Sequence, residues 1–167
     1  MTRVVQKFGG TSLADIKKIG NAARHVERAV ANGDEVAVVV SAMAGTTNQL
    51  VSWAHEVSSV HDAREYDVVV ASGEQVTAGL MAMAIQALGI PARSWLAWQV
   101  PIVTDGVHGG AHIESIDTKE IFKRLSAGEV AVVPGFQGVD SHDRLTTLGR
   151  GGSDASAVAL AADSAAV

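Results

Sequence analysis

No cysteine occurs in this chain. Its absence excludes disulfide bridges, thiolate metal sites and cysteine nucleophiles, and it suits a cytoplasmic location, which is the one expected here. A surplus of positive charge is missing as well: 13 Lys+Arg stand against 18 Asp+Glu, a formal net charge of −5. Such a surface offers nothing general to a phosphodiester backbone, so no nucleic-acid partner is expected, and a bound polyanion needs a local cationic site. Aromatic residues make up only 4%, and Trp53, Trp95 and Trp98 are expected in the core or an interface rather than on a stacking platform. Long apolar runs are also lacking. Residues 36–45 and 79–90 are the longest, and both fall short of the roughly 20 residues that cross a bilayer. The N-terminus shows no apolar segment of signal-peptide length, so no membrane partner is expected. The histidines show no ligand spacing: two glycines separate His108 from His112, which does not make a helical metal pair, and no protein-held metal is expected.

What is present is enough apolar material for a core: 47% hydrophobic residues against 19% charged, over 167 residues, suit one ordinary domain or part of a larger one. Val4 to Phe8 reads as a strand. Ile16, Ile19, Ala23, Val26 and Val30 follow at helical spacing, and Gly33 stops that helix. Val36 to Val40 is a β-branched run suited to a strand buried on both faces. Thr47 to Val57 reads as a helix capped by Thr46 or Thr47. A helix over Asp62 to Val70 is expected to break at Ser72-Gly73 before a second one over Val76 to Leu88, with Met81 and Met83 as core filler. "PARSWLAW" suggests a strand, "VPIVTDG" and "AHIESID" short extended pieces, and Asp117 the cap of a helix through Leu125. "EVAVVPGF" is another buried strand, "QGVDSHDRLTTLG" a hairpin or loop, and the segment from Gly151 to Val167 a glycine-rich turn feeding a small-residue helix. The alternation predicts an α/β fold with a mostly parallel sheet and helices on both faces.

Four segments carry candidate chemistry. In "KFGGTS" a strand runs into Lys7, Gly9, Gly10 and Thr11 before a helix. Backbone N–H groups beside a lysine make an anion site, though the same glycines suit a plain tight turn. In "TTLGRGGSD" three glycines surround Arg150, whose planar fork matches a carboxylate; Ser153 and Asp154 stand where a helix cap is also expected. "SAMAGTTN" offers Ser41 and Thr47 as neutral hydrogen-bonding groups after a buried strand, or simply a loop with a cap. In "SGEQVT", Glu74 is expected at a helix start, where a carboxylate is stabilised in any case, or as the acceptor of a substrate ammonium. Several of these segments follow strands, where open α/β sheets bind ligands.

Taken together and in order, "KFGGTS", "VVSAMAGTTN", "SGEQVT", "GFQG" and "TTLGRGGSD" resemble bacterial aspartate kinases of the amino acid kinase superfamily, over essentially the whole chain. The resemblance implies a three-layer αβα sandwich and transfer of the γ-phosphoryl of ATP to the β-carboxylate of aspartate, with Mg²⁺ bound through ATP. It implies that Lys7 stabilises the transferring phosphoryl and Asp154 orients it, that Gly9, Gly10 and Thr11 hold ATP phosphates, and that Arg150 clamps the α-carboxylate. Glu74 would take the ammonium, while Ser41, Thr47, Phe136 and Ser153 line the pocket. A homo-oligomer is implied for the full-length protein. The family's nucleotide-base segment and its ACT-type regulatory domains have no counterpart before Val167, so residues 1–167 are expected to be the N-terminal, aspartate-binding part of a kinase domain. Kinases of glutamate, N-acetylglutamate or UMP remain alternatives, as does a non-catalytic fragment that only binds aspartate or phosphate.

Overall fold

The computed structural model describes residues 2–164. β1 (Arg3–Phe8), β2 (Glu35–Val40), β3 (Ala92–Ser94) and β6 (Val130–Pro134) form an all-parallel sheet in the order β1-β2-β6-β3. Side chains alternate between its faces, and each face is covered. Val36, Val38, Val40, Val130 and Val132 pack under α1 (Ile16–Ala31) and α3 (Ala63–Gln86). Ala37, Val39, Ala131 and Val133 pack under α4 (Lys119–Ser126) and α5 (Gly152–Ser164). That double burial is why the two central strands are apolar at nearly every position. Each valine so buried contributes roughly 1.5–3 kcal/mol relative to exposure. The expected sandwich with a helical layer on either face is therefore observed.

A second sheet was not foreseen. β4 (Ile102–Thr104), β5 (Ile113–Ile116), β7 (Gln137–Val139) and β8 (Leu145–Thr147) pair in the order β5-β4-β7-β8, with β7 and β8 as an antiparallel hairpin. The chain leaves the main sheet for this one at Phe136, whose φ of 70° turns the backbone left-handed immediately after β6. A non-glycine residue seldom adopts that conformation, so the surrounding contacts have to enforce it.

Several local expectations change. α3 runs unbroken over 24 residues. Ser72 bonds back to the Val69 carbonyl, and Gly73 is required for packing: a Cβ there would lie 3.0 Å from Ala42 Cβ and 3.3 Å from Leu50 Cδ1. Gly73 thus lets α2 (Thr46–Val57) and the loop before it approach α3. The unbroken helix is long and apolar enough to cross a membrane by length and composition, yet half of its apolar window is buried inside the protein, and it carries the buried charges Asp67 and Glu74. α2 has Gly45 in the left-handed region at its cap position and no side-chain cap from Thr46 or Thr47. The helix expected to be capped by Asp117 has Thr118 at its cap position with no side-chain cap bond, while Asp117 Oδ1, one residue ahead, accepts from Lys119 N. β3 is shorter than expected, ending at Ser94. Met81 and Trp95 are core residues, whereas Met83, Trp53 and Trp98 are exposed. The expected continuation of α5 to Val167 lies, for residues 165–167, outside the described residues.

Gly138 joins the two strands at the centre of the second sheet with no room to spare. A Cβ would sit 2.4 Å from Thr104 Cγ2 and 2.7 Å from the Ile102 carbonyl, and the latter is backbone that cannot swing away. Gly138→Ala is expected to lower the unfolding free energy by about 1–3 kcal/mol, as overpacking does, measured as a drop in the urea midpoint; an unchanged midpoint would show that β4 and β7 are not tightly apposed.

Candidate active site

The parallel register brings three strand ends to one edge. Phe8 pairs with Val40, and Val40 with Pro134, so β1, β2 and β6 finish level. The ladder extends one step further through Ser41 N to the Phe8 carbonyl and Gly135 N to the Val40 carbonyl. The loops at Gly9-Gly10, residues 41–45 and Gly135-Phe136 consequently emerge side by side. Between them and the start of α5 lies a cleft of about 340 Å³. It is lined by Lys7, Gly10, Ser41, Thr47, Glu74, Phe136, Ser153 and Asp154, segments separated by over a hundred residues of sequence.

Part of the cleft lining favours anions. Lys7 Nζ stands 2.9 Å from Asp154 Oδ1, and the first turns of α2 and α5 line the same space through Gly45, Thr47, Gly152 and Ser153. Helix starts carry partial positive charge. The Lys7–Asp154 pair is partly solvated, with Asp154 69% exposed, so it contributes at most about 1 kcal/mol to stability. Its effect is to hold the ammonium in place. The glycine pair does something other than expected. Gly10 begins a single 3-10 turn, Gly10–Leu13, and α1 starts only at Ile16 with Asp15 as its cap. A Cβ on Gly10 would lie 2.9 Å from the Ala42 carbonyl; Gly10 allows two loops to touch.

The same cleft also holds a buried carboxyl. Glu74 sits in the middle of α3, not at a helix start, and is buried. Its Oε1 accepts from Ala42 N at 3.1 Å, while Oε2 is buried without a partner among the described residues. Burial pushes the carboxyl up to about 7, opposed only in part by hydrogen bonding from the backbone of Ala42 and of Glu74 itself. A buried carboxyl with an oxygen lacking a partner among the described residues, on a residue that lines a cleft, suits a cationic donor from a ligand.

Not every expected residue lines this cleft. Arg150 is exposed and borders a neighbouring groove of about 820 Å³ between β5 and α5; Gly152 belongs to both, so the guanidinium lies beside the cleft rather than in it. Thr11 faces a separate depression and accepts from Lys18 Nζ through its carbonyl. Gly9 is next to Lys7, 3.6 Å from Nζ to where its Cβ would be. Residues not anticipated are Ala42, whose N–H holds Glu74, and Met43 and Ala44, which line the wall. Nothing about their side chains marks them; only the strand–loop pattern before α2 does.

Residues 2–166 match the family model described as the amino acid kinase family. The chain belongs to that family. A curated aspartokinase from Rickettsia felis is 50% identical over 165 residues, covering 97% of this chain. Among solved structures, aspartate kinase from Synechocystis superposes with a TM-score of 0.82 at 42% identity over 98% of this chain. E. coli aspartokinase III in complex with lysine and aspartate superposes with 0.83 at 25% identity over 98%. This amino acid kinase chain spans 41% of the length of the Rickettsia relative, and 27% and 47% of those two structures.

The raised carboxyl of Glu74 has a consequence for stability. A group protonated up to about 7 in the fold, against an ordinary 4.5, stabilises the fold fully below pH 4.5. That contribution is lost as pH rises through about 7. Unfolding by urea at pH 5 and pH 8 should show a loss of up to about 3 kcal/mol in the native chain that is absent in Glu74→Gln. Parallel pH profiles for the two would rule out desolvation of Glu74.

Proposed function

We propose that this chain is the aspartate-binding part of an aspartate kinase. The reaction transfers the γ-phosphoryl of ATP to the β-carboxylate of L-aspartate, giving 4-phospho-L-aspartate on the way to lysine, threonine and methionine. The observation that carries this reading is the mixed polarity of the cleft lining: a paired lysine and two helix starts, together with a buried carboxyl, Glu74, whose Oε2 has no partner among the described residues. A small zwitterion with an extra carboxylate matches both kinds of group. The 50% identity to a relative named aspartokinase, and the aspartate held by a structure at 25% identity, support aspartate over glutamate, N-acetylglutamate or UMP.

The chemistry asks little covalent work of the protein. The attacking β-carboxylate is ionised at neutral pH, so no general base is needed. Catalysis is positioning and charge neutralisation. Glu74 receives the substrate ammonium, and Arg150 swings across Gly152 to hold the α-carboxylate in a two-pronged contact. Ser41, Thr47, Phe136 and Ser153 close the pocket around the chain of the substrate. Lys7, oriented by Asp154, meets the negative charge of the transferring phosphoryl, while backbone N–H groups of Gly9, Gly10 and Thr11 serve ATP phosphates. Mg²⁺ would arrive bound to ATP and supply charge neutralisation there. A cytoplasmic location and a homo-oligomer in the full-length protein complete the proposal.

Calorimetry on the 167-residue chain tests the reading: L-aspartate should bind and glutamate and UMP should bind far more weakly. No heat with aspartate, or equal binding of UMP, would overturn it. In a full-length protein carrying this segment, Lys7→Met is expected to cut turnover by roughly 10²–10³, the size of one lost transition-state contact, with aspartate affinity little changed. Trapping the acyl phosphate with hydroxylamine measures it, and near-normal turnover would remove Lys7 from the mechanism. Arg150→Ala should raise the aspartate KM strongly, by about 2–5 kcal/mol of lost binding, and leave that of ATP almost unchanged; the reverse pattern would move Arg150 to the nucleotide side.

A further inference from the structure

Gln137 is fully buried in β7, outside the cleft, and no step above uses it. Its amide nitrogen lies 3.3 Å from two carbonyl oxygens, those of Ala71 in α3 and Gly135 at the end of β6. Carbonyls only accept, so the nitrogen must face them, and the amide oxygen is left to accept from Gln75 Nε2 at 3.1 Å. One side chain thereby ties two walls of the cleft together. Residues 71 and 75 are the helical neighbours that flank Glu74. Gly135 leads into Phe136, which lines the cleft at φ 70°.

The turn at Phe136 is held from every side. Gly135 N donates to the Val40 carbonyl, Phe136 N to Ser156 Oγ, and Leu148 N to the Phe136 carbonyl; the Gly135 carbonyl is the group that Gln137 satisfies. This turn in turn abuts the start of α5, since a Cβ on Gly135 would lie 2.8 Å from Ser153 Cβ. The separation of the Glu74 carboxylate from Phe136, Ser153 and Asp154 therefore depends on a buried neutral amide. In a tightly packed interior such a spacer transmits sub-ångström changes rather than absorbing them.

The geometry points to Gln137 as a positioning residue that sets the span of the cleft and so selects the length of the acceptor, favouring a dicarboxylic amino acid with one side-chain methylene over its homologue with two. This deepens the aspartate reading and rests on it.

The test compares the 167-residue chain with Gln137→Met, which keeps the volume and removes all three hydrogen bonds, and with Gln75→Met, which removes one. Calorimetry with L-aspartate and L-glutamate gives the ratio of the two affinities, and amide hydrogen exchange without ligand reports the turn. Gln137→Met should weaken aspartate binding about 10- to 100-fold, bring the aspartate-to-glutamate ratio close to one, and speed exchange at Phe136 at least about tenfold, while Val38 in β2 stays protected. Gln75→Met should change the ratio in the same direction by less, and it decides the matter if Gln137→Met does not fold. An unchanged ratio, or equal weakening for both amino acids, overturns the inference even though aspartate still binds. If the native chain binds no aspartate, the functional reading fails on its own; unchanged exchange at Phe136 in both variants would then overturn the tie as well, and accelerated exchange confined to that turn would uphold it.

Discussion

Everything at the candidate site depends on the level register of three parallel strands. Because Phe8, Val40 and Pro134 lie in one row, the loops that follow them leave the sheet at the same height. The hydrogen bonds from Ser41 and Gly135 carry that row one residue further. A slip of one residue in β2 would turn Val36, Val38 and Val40 toward α4 and α5 and reverse the packing of both faces. The apolar alternation that stabilises the core is thus the same constraint that aligns Lys7, Ser41 and Phe136.

Glu74 is the counterweight. A carboxylate buried in the middle of a helix, with one oxygen bound to Ala42 N and the other without a partner among the described residues, is unfavourable to the fold above neutral pH. The core tolerates it because the loss is a few kcal/mol and the surrounding contacts are many. A ligand ammonium would satisfy the free oxygen and draw the group back to its ionised form, so binding recovers what folding gives up. The Lys7–Asp154 pair in the same cleft is partly solvated and adds little stability. The cleft is therefore shaped more by its electrical polarity than by any strength of contact.

α3 couples the two sheets. Toward the main sheet it presents Ala78, Met81 and Ile85. Toward the second sheet it presents polar groups instead: Asp67 accepts from Thr147 Oγ1 at 2.5 Å and from Gly109 N at 3.1 Å, with His108 Nδ1 at 2.7 Å, and Gln75 meets Gln137. Hydrogen bonds are directional where apolar packing is not, so this seam fixes the orientation of the β7–β8 hairpin and of the residues that follow it into α5.

The linear chain by itself determined the class of fold and the segments that matter. Valine-rich runs at 36–40 and 130–133 could only be strands covered on both faces, and the glycine-flanked Lys7, Glu74 and Arg150 stood out because charged residues interrupt apolar or turn-forming sequence. The break expected at Ser72-Gly73 failed because propensity is local: Gly73 is small to admit Ala42 and Leu50, a contact from 31 positions away in the case of Ala42. The extended pieces and the hairpin or loop were legible, but their joining into a second sheet was not, since the chain turns toward it at one left-handed residue, Phe136, held by Ser156 and Leu148. Tertiary structure alone decided that Glu74 is buried with a free oxygen, that Arg150 lies beside the cleft, and that Gln137 bridges its walls. Each of these depends on which groups meet across the chain, and burial and hydrogen-bond partners exist only once the chain has folded.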